Sequence, residues 1–193
     1  MAQHSPIIFI TGGVRSGKSS FAEKLAGEQS RMEPFGQLHY IAAMQSSDEE
    51  MKQRIRVHQN ERLHSDLVWT TWEKPTSIGE LAGNFGEKDV VLLDCLTTWL
   101  NNELFFEMDG WRDDAYLSQL FETMWDEMIS ISRKVKTFII VSNEVLYEPI
   151  ESNDLVFVYS SLLGKLHQKI VAQARLAYLV EGGIPIVMKG DIK

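Results

Sequence analysis

Eight consecutive residues, Gly12-Gly13-Val14-Arg15-Ser16-Gly17-Lys18-Ser19, carry the clearest chemistry in this chain of 193 residues. They match GxxxxGK[ST], follow the short apolar run Ile7–Thr11, and precede a segment with helical apolar spacing. In that setting glycines let backbone N–H groups curl around a phosphate, and the following helix N-terminus adds partial positive charge. Lys18 then reaches the β- and γ-phosphates, and Ser19 offers a hydroxyl to Mg²⁺. The pattern predicts a site for a nucleoside triphosphate with Mg²⁺. A second run, Val90–Leu93, ends in Asp94. A buried strand that delivers a carboxylate in this way is the arrangement expected on the metal side of such a nucleotide.

His58 admits two readings. It shares a helical face with Met51, Ile55 and Arg62, which suits a half-buried core histidine held by hydrogen bonds. Neutral imidazole near pH 7 can equally attack phosphorus as a nucleophile. From spacing alone the first reading is favoured. His4, His39, His64 and His167 have no comparable setting. Glu73 is by spacing a strand-end acid, and Cys95 reads as packing.

The elements that must position these residues follow from periodicity. Short apolar runs at Ile7–Thr11, His39–Ala42, Leu67–Trp72, Val90–Leu93 and Thr137–Val141 predict strands. Ser19–Gln29, the segment 48–62, and the spacing of Leu117, Leu120, Phe121, Met124, Met128 and Ile131 predict helices. Residues 154–175 are ambiguous at first, because Leu155–Tyr159 could be a strand, and then helical. Leu176–Val180 and Ile184–Met188 flank Gly182-Gly183 and predict a hairpin whose second strand, with Pro185, lies at a sheet edge. The expected fold is α/β with a mostly parallel sheet flanked by helices, a P-loop NTPase with a C-terminal β-hairpin.

Length favours one domain over residues 1–193. No run of ~18 apolar residues is available for a membrane span, and no signal peptide is expected from the first residues. The single cysteine excludes an internal disulfide. Together these give a cytoplasmic expectation. The net charge of −8 argues against nucleic acid as a partner. The charge is regional: residues 101–130 hold eight acids against Arg112 alone, whereas residues 11–62 hold eight bases and seven acids. The nucleotide-binding segments are therefore close to neutral, and the acidity belongs to a flank.

The segments ITGGVRSGKSSFAE (10–23), YIA (40–42), DEEMKQRIRVH (48–58), WTTWE (69–73), VVLLDCLTTWLNN (90–102) and VSNEV (141–145), in this order, resemble one family. It is that of the bifunctional adenosylcobinamide kinases/adenosylcobinamide-phosphate guanylyltransferases of cobalamin assembly. The resemblance implies a corrinoid substrate, and it implies that His58 accepts GMP from GTP as a phosphoramidate. It also implies nucleotide contacts at Ala42, Ala43 and Met44, at Gln59, Asn60, Glu61 and Arg62, at Glu73 and at Asp94. A RecA-like sheet and a homo-oligomer, commonly a trimer, come with it. The match weakens after Val145: Glu148-Pro149-Ile150 stands in place of a glycine-rich turn, Tyr159-Ser160-Ser161 in place of Phe-Arg-Asp, and His167-Gln168 in place of Asn-Gln. Because of that departure, two alternatives accompany the bifunctional reading: a single-activity P-loop kinase or NTPase, and a non-catalytic nucleotide-binding regulator.

Overall fold

The computed structural model describes residues 5–33, 35–44, 67–106, 110–144 and 154–191. The helix expected over 48–62, which carries His58, lies outside them. The apolar runs form strands: β1 (Ile7–Gly12), β2 (Leu38–Ala42), β3 (Trp69–Glu73), β4 (Val90–Asp94), β5 (Thr137–Asn143), β6 (Leu176–Glu181) and β7 (Ile184–Lys189). They make one seven-stranded sheet in the order β3-β2-β4-β5-β1-β6-β7, parallel except for the β6–β7 pair. In β1, β2, β4 and β5 almost every side chain is buried. That is why they read as continuous apolar runs rather than alternating ones. Gly182 and Gly183 both have positive φ, 56° and 82°, as a two-residue hairpin turn of the favoured twist requires. Pro185 does sit on an edge strand, where its missing N–H costs nothing.

Helix α1 (Lys18–Arg31) covers one face of the sheet. Its Ala22, Leu25 and Ala26 pack with Ile8, Ile10, Tyr40, Leu92 and Val141. Helices α2 (Leu96–Leu104), α3 (Asp114–Ser132) and α4 (Asp154–Gln173) supply the other face. There Trp99, Met124, Met128, Leu163 and Leu166 join Phe9, Leu93, Phe138 and Ile140. Asp113 caps α3, its side chain accepting from the Ala115 N–H at 2.8 Å. The strand alternative for Leu155–Tyr159 is not what forms: these residues are the first turns of α4. Helix α2 and the 3₁₀ segment Ile78–Asn84 are not among the elements expected above, although Leu96, Trp99, Leu100 and Leu104 recur at helical spacing and are buried.

Two of the remaining histidines serve the core. Trp72 Nε1–H donates to His39 Nδ1 at 3.2 Å, so the ring proton sits on Nε2 and faces Asp89 Oδ2 at 3.3 Å. Asp89 also accepts the N–H groups of Gln37 and Gly86 at 2.8 and 2.7 Å. On the other face, His167 of α4 meets the Ser142 hydroxyl of β5 at 2.7 Å and packs edge-on against Phe9. Burial pushes the His167 imidazole down to about 4.

Candidate functional site

Parallel strands bring their carboxyl ends to one edge, the place where open α/β sheets bind ligands. The register sets Ala42 opposite both Glu73 and Asp94, and Gly12 opposite Asn143. The sheet therefore gathers four positions expected from sequence, Gly12, Ala42, Glu73 and Asp94, on one rim. Strand β5 separates β1 from β4. At about 4.8 Å per strand, the loop after β1 and the carboxylate ending β4 are offset by about two strand widths.

The loop from Gly13 to Gly17 enters α1 directly. Arg15 and Gly17 have φ of 59° and 89°, and the Ser16 N–H closes a turn on the Gly13 carbonyl at 3.2 Å. Gly13, Val14, Arg15 and Gly17 are exposed, while Lys18, the first residue of α1, is buried. Its Nζ donates to the Gly13 carbonyl at 3.1 Å, so the ammonium is folded back under the loop. Burial lowers the Lys18 pKa from the ordinary lysine range, and the nearby Asp94 and Cys95 pull it back up. A triphosphate above this ammonium would add anionic charge to that of Asp94. Ser19 follows in the first turn, half-buried.

Asp94 is half-buried at the end of β4 and accepts the Tyr40 hydroxyl at 3.1 Å on Oδ2. Cys95 is buried, with its thiol against the Thr97 and Thr98 hydroxyls at 3.0 and 3.2 Å. Burial and the Asp94 charge raise its pKa, which keeps it a packing thiol as the sequence suggests. Asn143 Nδ2 donates to Thr97 Oγ1 at 2.9 Å, and the Tyr159 hydroxyl to the Thr97 carbonyl at 2.9 Å. Burial pushes the Tyr159 phenol up. Helix α2 also fixes the segment after β2: Asn102 Nδ2 donates to the Ala43 carbonyl at 2.7 Å and to that of Pro75 at 3.0 Å. Ala42 and Ala43 are buried, Met44 is half-buried, and Glu73 is exposed at the rim.

His58, Gln59, Asn60, Glu61 and Arg62 lie outside the described residues. The structure adds residues that spacing does not single out: Tyr40 on Asp94, Asn102 and Asn143 from their helix and strand ends, and Gly183 on the loop itself. Tyr40, Asn102 and Asn143 lie in segments that carry the family resemblance, and Gly183 in the expected hairpin turn, but spacing does not mark their contacts.

A mostly parallel sheet, a GxxxxGKS loop between β1 and α1, and an aspartate two strands away define a P-loop nucleotide-binding protein of RecA-like architecture. A solved structure of Pyrococcus horikoshii OT3, that of Project ID PH0250, shares this fold with a TM-score of 0.52 at 7% identity, covering 99% of this chain and 90% of that one. Sequence comparison is more specific. The family model described as "CobU: Cobinamide kinase / cobinamide phosphate guanyltransferase" matches residues 8–188. The bifunctional adenosylcobalamin biosynthesis protein CobU of Escherichia coli is 31% identical over 95% of this chain and 99% of its own length. The bifunctional adenosylcobalamin biosynthesis protein CobP of Pseudomonas aeruginosa is 33% identical over 94% and 96%. The chain belongs to the cobinamide kinase/cobinamide phosphate guanyltransferase family.

Proposed function

We propose that this chain, acting as a single domain over 1–193, phosphorylates adenosylcobinamide and then transfers GMP to the product through His58. The observation that carries the nucleotide half is the rim itself, with Lys18 under the loop and Asp94 two strands away. Family membership supplies the corrinoid half. In the kinase step the aminopropanol hydroxyl of adenosylcobinamide attacks the γ-phosphorus of ATP or GTP. The bond to the β-phosphate oxygen breaks and the hydroxyl proton is released. Catalysis here is chiefly positioning and charge neutralisation by the loop N–H groups and Lys18. In the second step a ring nitrogen of His58 bonds to the α-phosphorus of GTP and pyrophosphate leaves. A phosphate oxygen of adenosylcobinamide phosphate then displaces the histidine to give adenosylcobinamide-GDP. Dividing the displacement in two is the benefit of a nucleophilic side chain.

Ser19 and Asp94 offer one hydroxyl and one carboxylate, hard oxygen donors that suit Mg²⁺ shared with phosphate oxygens and water. Bound there, Mg²⁺ would neutralise phosphate charge; the Tyr40 hydroxyl holds the Asp94 carboxylate in place. Ala42–Met44, Gln59–Arg62 and Glu73 are assigned to the nucleotide. The family's Phe-Arg-Asp is Tyr159-Ser160-Ser161 here, and Tyr159 is tied to Thr97, so these positions do not supply the family's arginine and aspartate to the second substrate or the γ-phosphate. A homo-oligomer and a cytoplasmic address belong to the same reading. Among the described residues no helix is long and apolar enough to cross a membrane.

The test is direct. Protein incubated with α-labelled GTP and Mg²⁺ gains acid-labile label, and His58→Ala does not. Equal labelling of the variant sinks the assignment, and kinase turnover without any labelled protein favours the single-activity alternative.

A further inference from the structure

The geometry points to the β6–β7 hairpin turn as a brace that holds the phosphate loop in its binding shape, with Gly183 as the positioning residue. This rests on the nucleotide-binding reading above. Because β6 runs parallel to β1 and pairs with it from Ile8↔Leu176 to Thr11↔Leu179, its carboxyl end arrives beside the loop that follows β1. The turn closes the gap. The Gly183 N–H donates to the Ser16 carbonyl at 2.8 Å.

Two loop glycines face this seam. A Cβ on Gly17 would lie 3.2 Å from Gly183 Cα, and one on Gly12 would lie 2.4 Å from the Val180 carbonyl oxygen. Both contacts belong to the hairpin, so here glycine permits close approach of two backbones. The Ser16–Gly17 peptide is planar and trans, so its C=O and the Gly17 N–H point in opposite directions. With the oxygen tied to Gly183, the Gly17 N–H is aimed away from the hairpin, toward the open side of the loop. One hydrogen bond outside the site thereby orients a donor inside it.

The brace is itself anchored. Lys189 Nζ, at the far end of β7, donates to the Val171 and Ala172 carbonyls of α4 at 2.7 and 2.9 Å, satisfying carbonyls a helix end leaves free. Tyr178 of β6 packs edge-on against Phe21 of α1, with ring centroids 5.1 Å apart. At the turn, by contrast, a Cβ on Gly182 or Gly183 would meet nothing within 4 Å. A side chain there tests backbone conformation without a clash.

The experiment measures binding of MgATP, MgGTP and inorganic triphosphate to the full chain by calorimetry, alongside melting of the ligand-free protein. Gly183→Val has space but cannot comfortably keep φ of 82°, so the turn relaxes and the N–H leaves Ser16. Gly182→Asn keeps the turn, since asparagine tolerates the left-handed region at φ of 56°. Loss of one ordinary hydrogen bond corresponds to an affinity loss of roughly 2- to 13-fold. Gly183→Val is expected to weaken all three ligands by about that factor, and Gly182→Asn to bind as wild type. The shared factor for base-free triphosphate separates a phosphate-loop effect from general loosening. Gly183→Ala replaces the valine variant if that one does not melt cooperatively. Wild-type binding with an unchanged Gly183 variant, or an equal loss in Gly182→Asn, overturns the brace alone. A wild-type protein that binds none of the three ligands overturns the nucleotide reading and the brace with it.

Discussion

Lowering the pH should destabilise this protein through one residue, His167, and the size of the effect follows from its surroundings. The side chain is buried between α4 and β5 with the Ser142 hydroxyl at 2.7 Å and the edge of Phe9 beside it. Burial lowers its pKa from 6.5 to about 4. Between those values the unfolded chain binds a proton that the folded chain refuses, so stability falls as pH falls through the window from 6.5 to about 4. At 1.36 kcal/mol per pKa unit, the full penalty is about 3 kcal/mol, of which about 2 kcal/mol appears between pH 7 and 5. His167 is only 8% exposed, so solvent does little to screen it. Urea unfolding measured at half-unit steps from pH 7 to 4.5 reads the slope. His167→Gln is the control, because its amide can still reach Ser142 and does not titrate. The wild-type curve should drop toward that of the variant, or below it, by about 2 kcal/mol more than the variant loses by pH 5. Parallel curves for the two proteins over the whole range would refute the reasoning.

Two further substitutions probe the rim. Tyr40→Phe removes the hydroxyl that holds Asp94 at 3.1 Å and should raise the Mg²⁺ concentration for half-maximal kinase activity about 2- to 13-fold, the worth of one hydrogen bond; an unchanged Mg²⁺ titration would show that Asp94 needs no such support. Asn102→Ala leaves the Ala43 and Pro75 carbonyls without their shared donor. It should cost about 1–3 kcal/mol in chemical unfolding and weaken GTP binding, whereas wild-type affinity would separate Ala42–Met44 from the nucleotide.

What could be read from the residues divides along physical lines. The GxxxxGKS loop, the strand ending in Asp94 and the glycine-glycine hairpin are local patterns, and the structure forms each where the sequence places it. Leu155–Tyr159 misleads because Val-Phe-Val-Tyr favours strands in isolation. In the fold, Leu162, Leu163, Leu166 and Ile170 on the same helix are buried, and that packing extends the helix back through the β-prone run. The third predicted strand, Leu67–Trp72, also shifts: pairing begins at Trp69, and Val68 is 89% exposed. Several contacts that shape the rim are long-range. Tyr40 with Asp94, Asn102 with Ala43, and Gly183 with Ser16 join residues that only the register brings together, so nothing in local spacing marks them. His167 shows the same limit, since its partner Ser142 lies on a different element.

The position of β1 in the sheet also governs when the loop can exist during synthesis. Its neighbours are β5 and β6, with Ile7 beside Phe138 and Ile8 beside Leu176. The loop sequence leaves the ribosome long before either strand that flanks it, while β2, β3 and β4 can already find one another. Such distant pairings are slow to form and leave an apolar strand unpaired in the meantime. If the hairpin braces the loop as proposed, the loop takes its binding shape late, once β6 and β7 are in place.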